Sequence, residues 1–187
     1  SALDPSGRQL ITLLAEDDPQ DLTKPRGKQD WQLEPHSIWY PRTTGIWQTV
    51  WYERVSRTYV DKIRWTPHVE GFAVGFEARI TGDTSVDDLW VEVTLRHGDR
   101  LLARDRYQVV DKEVDRMVIL SDPGIDDYRN ELLWSPERPT LIDADVRLLR
   151  GEAVLDEFSS YTALRSVTIS RDRFLLNGRP YVLRLVL

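Results

Sequence analysis

Aromatic residues are the strongest chemical signal in this sequence. Five of the seven Trp (Trp31, Trp39, Trp47, Trp51 and Trp65) lie in the first 65 residues, joined by Tyr40, Tyr52 and Tyr59. Aromatic faces stack on the apolar faces of sugar rings, and a Trp N–H or Tyr O–H needs a hydrogen-bond partner that a polyhydroxylated ligand can supply. Filling the core of a β-domain is the competing use. Trp47 and Trp51, four residues apart in a predicted strand from Ile46 to Tyr52, read as core packing. Trp31, Trp39 and Tyr40 lie in a proline-rich loop beside Asp30, Glu34, His36 and Arg42, where ligand-facing and structural roles weigh about equally.

Other chemistries find little support. The three His (His36, His68, His97) lack metal-ligand spacing and an H-E-x-x-H frame, so each reads as a surface or loop imidazole and no metal site is expected. Zero Cys removes thiolate nucleophiles, thiolate zinc sites, Cys-held iron–sulfur clusters and a disulfide framework. No G-x-S-x-G elbow occurs. The segment Lys24-Pro25-Arg26-Gly27-Lys28-Gln29-Asp30 is basic and loop-like, yet the phosphate-loop pattern is absent. The acid pairs Asp17-Asp18, Asp87-Asp88 and Asp126-Asp127 sit in turn-like sequence and read as solvated turn residues. A net charge of −6, with the Arg scattered singly, offers no basic field for nucleic acid. The apolar runs fall short of the ~20 residues that span a bilayer, so no membrane partner is expected. Ile11 to Ala15 is too short for a leader, and the compartment stays open.

The elements that must position these residues are strands. In 89–96, Leu89, Val91, Val93 and Leu95 alternate with Trp90, Glu92, Thr94 and Arg96; 74–81 and 142–149 alternate in the same way. Such period-2 patterns suit sheets with one face on a core. Weaker alternation marks 58–66, 101–110, 114–120 and 153–161. Turn signals at Gly82-Asp83, His97-Gly98-Asp99, Asp122-Pro123-Gly124 and Gly151-Glu152 separate them. About seven short strands between Arg57 and Tyr161 predict an all-β, immunoglobulin-like sandwich, and a fibronectin-like topology reads identically.

The ends do not fit that sandwich. Residues 1–56 hold one predicted strand, Gln9 to Leu14, then a long irregular stretch. Arg173–Leu176, Asn177-Gly178 and Arg179–Val182 predict a β-hairpin with a type I′ turn. Val182 to Leu187 predicts a strand covered on both faces, as in a parallel barrel.

Three blocks together resemble glycoside hydrolase family 2, the β-galactosidase and β-glucuronidase group. Thr44-Gly45-Ile46-Trp47-Gln48-Thr49-Val50-Trp51 is similar to the S-G-I-W-x-x-V-x-L that closes the family's N-terminal jelly roll. Leu133-Trp134-Ser135-Pro136-Glu137-Arg138-Pro139-Thr140-Leu141 is similar to L-W-S-P-E-x-P-x-L of its immunoglobulin-like domain. Phe174-Leu175-Leu176-Asn177-Gly178-Arg179-Pro180 with Leu183-Arg184 is similar to the F-x-L-N-G-x-P-x-x-L-R that opens its catalytic barrel. Arg165 corresponds to the Arg of a further family element, in which Ala163 here replaces Gly. Pro136 and Pro139 cannot donate to a ladder, so this block must connect strands, with Trp134 free to plug the sandwich end.

The resemblance implies that residues 1–56 are the last part of a jelly roll, 57–165 an immunoglobulin-like sandwich and 166–187 the start of a (β/α)₈ barrel. It implies retaining glycoside hydrolysis by two Glu of later barrel strands. The expectation is therefore a fragment of a longer enzyme, with no catalytic residue and no activity of its own, a non-catalytic region positioning the jelly roll against the barrel. Some family members send a jelly-roll acid to the barrel rim to meet sugar hydroxyls. Here Trp39 stands at the expected spacing and the nearest acids are Glu34 and Asp30, of which Asp30 is the candidate, with Trp31, Trp39 and Tyr40 as candidate sugar-contacting residues. The implied partners are carbohydrate, the enzyme's own barrel and, for the fragment, further copies of itself; no cofactor is implied. The alternatives are an autonomous carbohydrate-binding module and a protein-interaction sandwich.

Overall fold

The structure, a computed structural model, describes residues 7–18, 20–21, 23–83, 88–121 and 131–186. The chain divides into two compact units, Ser1–Glu53 and Arg54–Leu187. The turn Asp122-Pro123-Gly124, the pair Asp126-Asp127 and Asp87 lie outside the described residues.

The second unit is all-β. Strands β1 (Thr58–His68), β2 (Ala73–Gly82) and β5 (Glu113–Ile119) form an antiparallel sheet in the order β1-β2-β5. Strands β3 (Leu89–His97), β4 (Arg100–Gln108), β6 (Ile142–Arg150) and β7 (Ala153–Thr162) form a second sheet in the order β4-β3-β6-β7. Every strand that alternation predicts is present. The pattern works as expected: Val74, Phe76, Ala78 and Ile80 of β2 meet Val91, Val93 and Leu95 of β3 and Ile142, Ala144, Val146 and Leu148 of β6 in one buried core. The fourth strand pairs with the third, whereas antibody constant domains place it beside the fifth; this is the topology that alternation alone left open.

Side chains close the β1–β7 flank. A register shift between Val60 and Lys62 puts an extra residue into β1, and the Val60 amide donates to the Asp156 carboxylate (2.9 Å). Trp65 packs on Phe76 at 4.7 Å between ring centroids and donates its indole N–H to Ser160 Oγ (3.2 Å). At the end of β2, Gly82 has φ +105° and lies so near Arg57 that an added Cβ would stand 1.8 Å from its carbonyl oxygen, which leaves room for glycine only.

A third, small sheet holds β8 (Val167–Ser170), β9 (Arg173–Leu176) and β10 (Arg179–Pro180) in the order β10-β9-β8. Asn177 (φ 52°) and Gly178 (φ 75°) both adopt positive φ, as a type I′ hairpin requires.

Three expected strands do not form. Gln9–Leu14, Ile46–Tyr52 and the described part of Val182–Leu187 carry no strand, and Trp47 and Trp51 are 85% and 73% exposed instead of packed in a core. A strand is stable only with a ladder partner and a facing apolar layer, and the described residues supply neither to these segments. Among the described residues, no helix is long and apolar enough to cross a membrane.

Candidate functional site

Residues 28–43 of the first unit form a loop closed on itself by short backbone bonds. The Tyr40 amide donates to the Lys28 carbonyl (3.1 Å), and the Asp30 amide to the Tyr40 carbonyl (2.8 Å). At its centre Asp30 is 0% exposed. One carboxylate oxygen accepts the Gln32 amide (2.9 Å); the other accepts both the His36 amide (2.6 Å) and His36 Nδ1 (2.7 Å). Aspartate suits this place because its short side chain reaches the amide two residues on, forming an Asx-turn. Arg42 secures the other side of the loop, donating from Nε to the Asp30 carbonyl (3.0 Å) and from Nη2 to the Trp31 carbonyl.

Burial opposes ionisation of Asp30, but the Gln32 and His36 amides and the His36 ring outweigh it and hold the carboxyl below its ordinary value. An ionised carboxylate only accepts, so the proton between Asp30 and His36 sits on Nδ1.

The aromatic residues collect around this anchor. Trp31 packs edge-on against His36 (5.2 Å, 87°) and against Trp39 (5.1 Å, 67°). Trp31 and Tyr40 remain 48% and 61% exposed, while Trp39 and His36 are half-buried. Asp30, Trp31 and Trp39 thus form one cluster, to which Tyr40 contributes its backbone. Sequence reasoning missed how closely His36 and Arg42 belong to it. The only signal was their proximity in sequence, since no period relates an Asp to an imidazole six residues on.

A second cluster closes one end of the sandwich, where two of the three motif blocks meet. Leu133 bridges Leu164, and the Trp134 amide donates to the Leu164 carbonyl (3.0 Å). Asn177 acts as a clamp: Oδ1 accepts the Ser166 amide (2.9 Å) and Nδ2 donates to the Trp134 carbonyl (2.9 Å). Tyr181 donates to Glu137 Oε1 (2.9 Å), and the Arg165 guanidinium lies 4.8 Å from the Trp134 ring centroid. Glu137's own amide, Tyr181 and Ser135 lower the Glu137 pKa, while the bond to Glu137 raises that of Tyr181. Leu132 and Leu164 are the buried residues that fill this end; Trp134, expected as the plug, is half-buried beside them. Ala163 is not among the positive-φ residues, so its backbone path does not require glycine.

Among the described residues no group of three or more His, Cys, Asp or Glu could hold a metal ion. Of the described acids of the expected turn pairs, Asp18 accepts the Gln20 amide (2.8 Å) and Asp88 the Trp90 indole (2.9 Å), whereas Asp17 pairs with Lys24 (3.4 Å) and accepts from Thr44 Oγ1 (3.3 Å).

No protein-family model matches the chain. A β-galactosidase of Thermoanaerobacter pseudethanolicus is 24% identical over 166 residues, 85% of this chain and 21% of that enzyme. Among solved structures, a Bifidobacterium dentium β-glucuronidase complexed with coumarin-3-O-glucuronide aligns with a TM-score of 0.51 at 18% identity, over 67% of this chain and 21% of that one. A Ruminococcus gnavus β-glucuronidase in complex with D-glucuronic acid aligns with a TM-score of 0.49 at 20% identity, over 69% of this chain and 20% of that one. The chain spans about a fifth of the length of these relatives. By its ordered motifs, its β-galactosidase relative and its sandwich fold, the chain resembles a segment of the β-galactosidase and β-glucuronidase group of glycoside hydrolase family 2.

Proposed function

We propose that this chain is the non-catalytic central region of a family 2 glycoside hydrolase, and that it sets a jelly-roll domain against a catalytic barrel. In this reading residues 1–56 belong to the jelly roll, 57–165 to the sandwich and 166–187 to the approach to the barrel. The observation that carries it is the Asn177 clamp, which ties the Asn-Gly hairpin to the Leu-Trp-Ser-Pro-Glu block with two side-chain hydrogen bonds. A joint with every Asn177 partner in place suits a part whose task is to fix one domain relative to the next. Hydrolysis with retention would be carried out by two glutamates of the barrel.

A second reading is favoured by the aromatic loop: the surface that Trp31, Trp39 and Tyr40 form around the buried Asp30 would meet carbohydrate. The chain and its native-length parent, each assayed on aryl β-glycosides and by calorimetry with sugars, separate the two. Cleavage by the parent with neither cleavage nor binding by the chain is the expected outcome. Sugar binding by the chain alone would make the loop an independent binding module.

A further inference from the structure

Asp30 is not placed to meet a sugar: its side chain is shut away from the surface of the loop. Its carboxylate is fully buried, and both oxygens are engaged by N–H donors at 2.6–2.9 Å. The group that this carboxylate orients is different. His36 is half-buried, with Nδ1 given to Asp30 and its ring set edge-on to Trp31 at 5.2 Å. Nε2 has no hydrogen-bond partner among the described residues. Directly after it, Ser37 holds φ 54°, a strained conformation for a residue other than glycine, and strain of this kind persists where surrounding bonds impose it.

We propose that His36 Nε2, aimed by Asp30 and flanked by the exposed part of Trp31, is the hydrogen-bonding group of a sugar-hydroxyl subsite. Asp30 is then a positioning residue and does not touch sugar. With the proton on Nδ1, the neutral ring presents Nε2 as an acceptor; once protonated, it presents a donor. A sugar hydroxyl both donates and accepts, so it fits either state, and Trp31 supplies the apolar surface that a pyranose ring needs. The inference rests on the carbohydrate reading of the loop given above.

The test uses two replacements that each preserve one ring nitrogen. In the native-length protein, the amide of His36→Asn reaches the place of Nδ1 and can still hold Asp30, but nothing replaces Nε2. His36→Gln places its amide near Nε2 and gives up Asp30. A subsite role predicts that His36→Asn raises KM for aryl β-glycosides about tenfold with kcat little changed, while His36→Gln keeps part of the affinity. The opposite order, with His36→Asn like wild type and His36→Gln impaired and less heat-stable, would assign His36 to holding the loop alone and overturn the proposal. Equal, wild-type KM values for both variants would also overturn it while leaving the family 2 reading intact. A wild-type protein that cleaves no glycoside of the panel would sink both.

Discussion

At the scale of single residues, burial of Asp30 makes the loop depend on one proton. The folded carboxyl titrates below its ordinary value because the amides of Gln32 and His36 and the His36 ring favour the ionised form over the cost of burial. A depressed folded value means that the ionised group stabilises the loop fully above the unfolded value of about 3.9, and that this stability is lost as pH falls through the folded one. The expected outcome is a change in the Trp31 and Trp39 indole N–H resonances on acidification below about pH 4, absent in Asp30→Asn. An unchanged acid transition in that variant would assign it to other carboxylates. At this scale the sequence was partly legible. The density of Trp and Tyr drew attention to residues 30–40, but the pairing of Asp30 with His36 depends on how the chain closes between Lys28 and Tyr40, and no residue pattern encodes that closure. Trp47 and Trp51 show the converse: their spacing suits a strand, yet hydrophobicity alone does not say whether a facing layer exists.

Among the elements, legibility followed the burial of one face. Strands β2, β3 and β6 alternate over most of their length because one side of each lies on the core, and most of their residues could be assigned by counting in twos. The extra residue in β1 was invisible, because a bulge interrupts the alternation through which it would be read. Strand order was equally hidden, since β4 could join either sheet without changing its own pattern. Leu95→Ala, at the centre of the core, should cost about 2–5 kcal/mol in urea unfolding. Gly82→Ala should cost about 1 kcal/mol or more, because it adds a Cβ against the Arg57 carbonyl at a positive φ; an unchanged midpoint would mean that the β1–β2 edge relaxes freely. Asn177→Ala removes two side-chain bonds, and faster amide exchange of Ser166 and of the hairpin is expected, with the sandwich amides of β3 and β6 unaffected.

Taken whole, the molecule leaves apolar residues exposed outside its sandwich core: Leu10, Ile11, Ile46, Trp47, Val50 and Trp51 in the first unit, and Val182, Leu185 and Val186 in the second. Surfaces of this kind are normally covered by neighbouring structure. Light scattering of the chain should therefore show association that grows with concentration and weakens in Trp47→Lys; a monomer at all concentrations would contradict this. The joint at the sandwich end bears on how such a chain can be dissected. Leu164 belongs to the buried core and accepts the Trp134 amide, two residues past the end of β7. Asn177 then returns from the hairpin to the Trp134 carbonyl. A recombinant sandwich trimmed at Thr162 would lose a core leucine and both of Trp134's backbone partners. The smallest transplantable module consequently extends through Tyr181, and chimaeras spliced at the last sandwich strand should express poorly while those spliced beyond the hairpin survive.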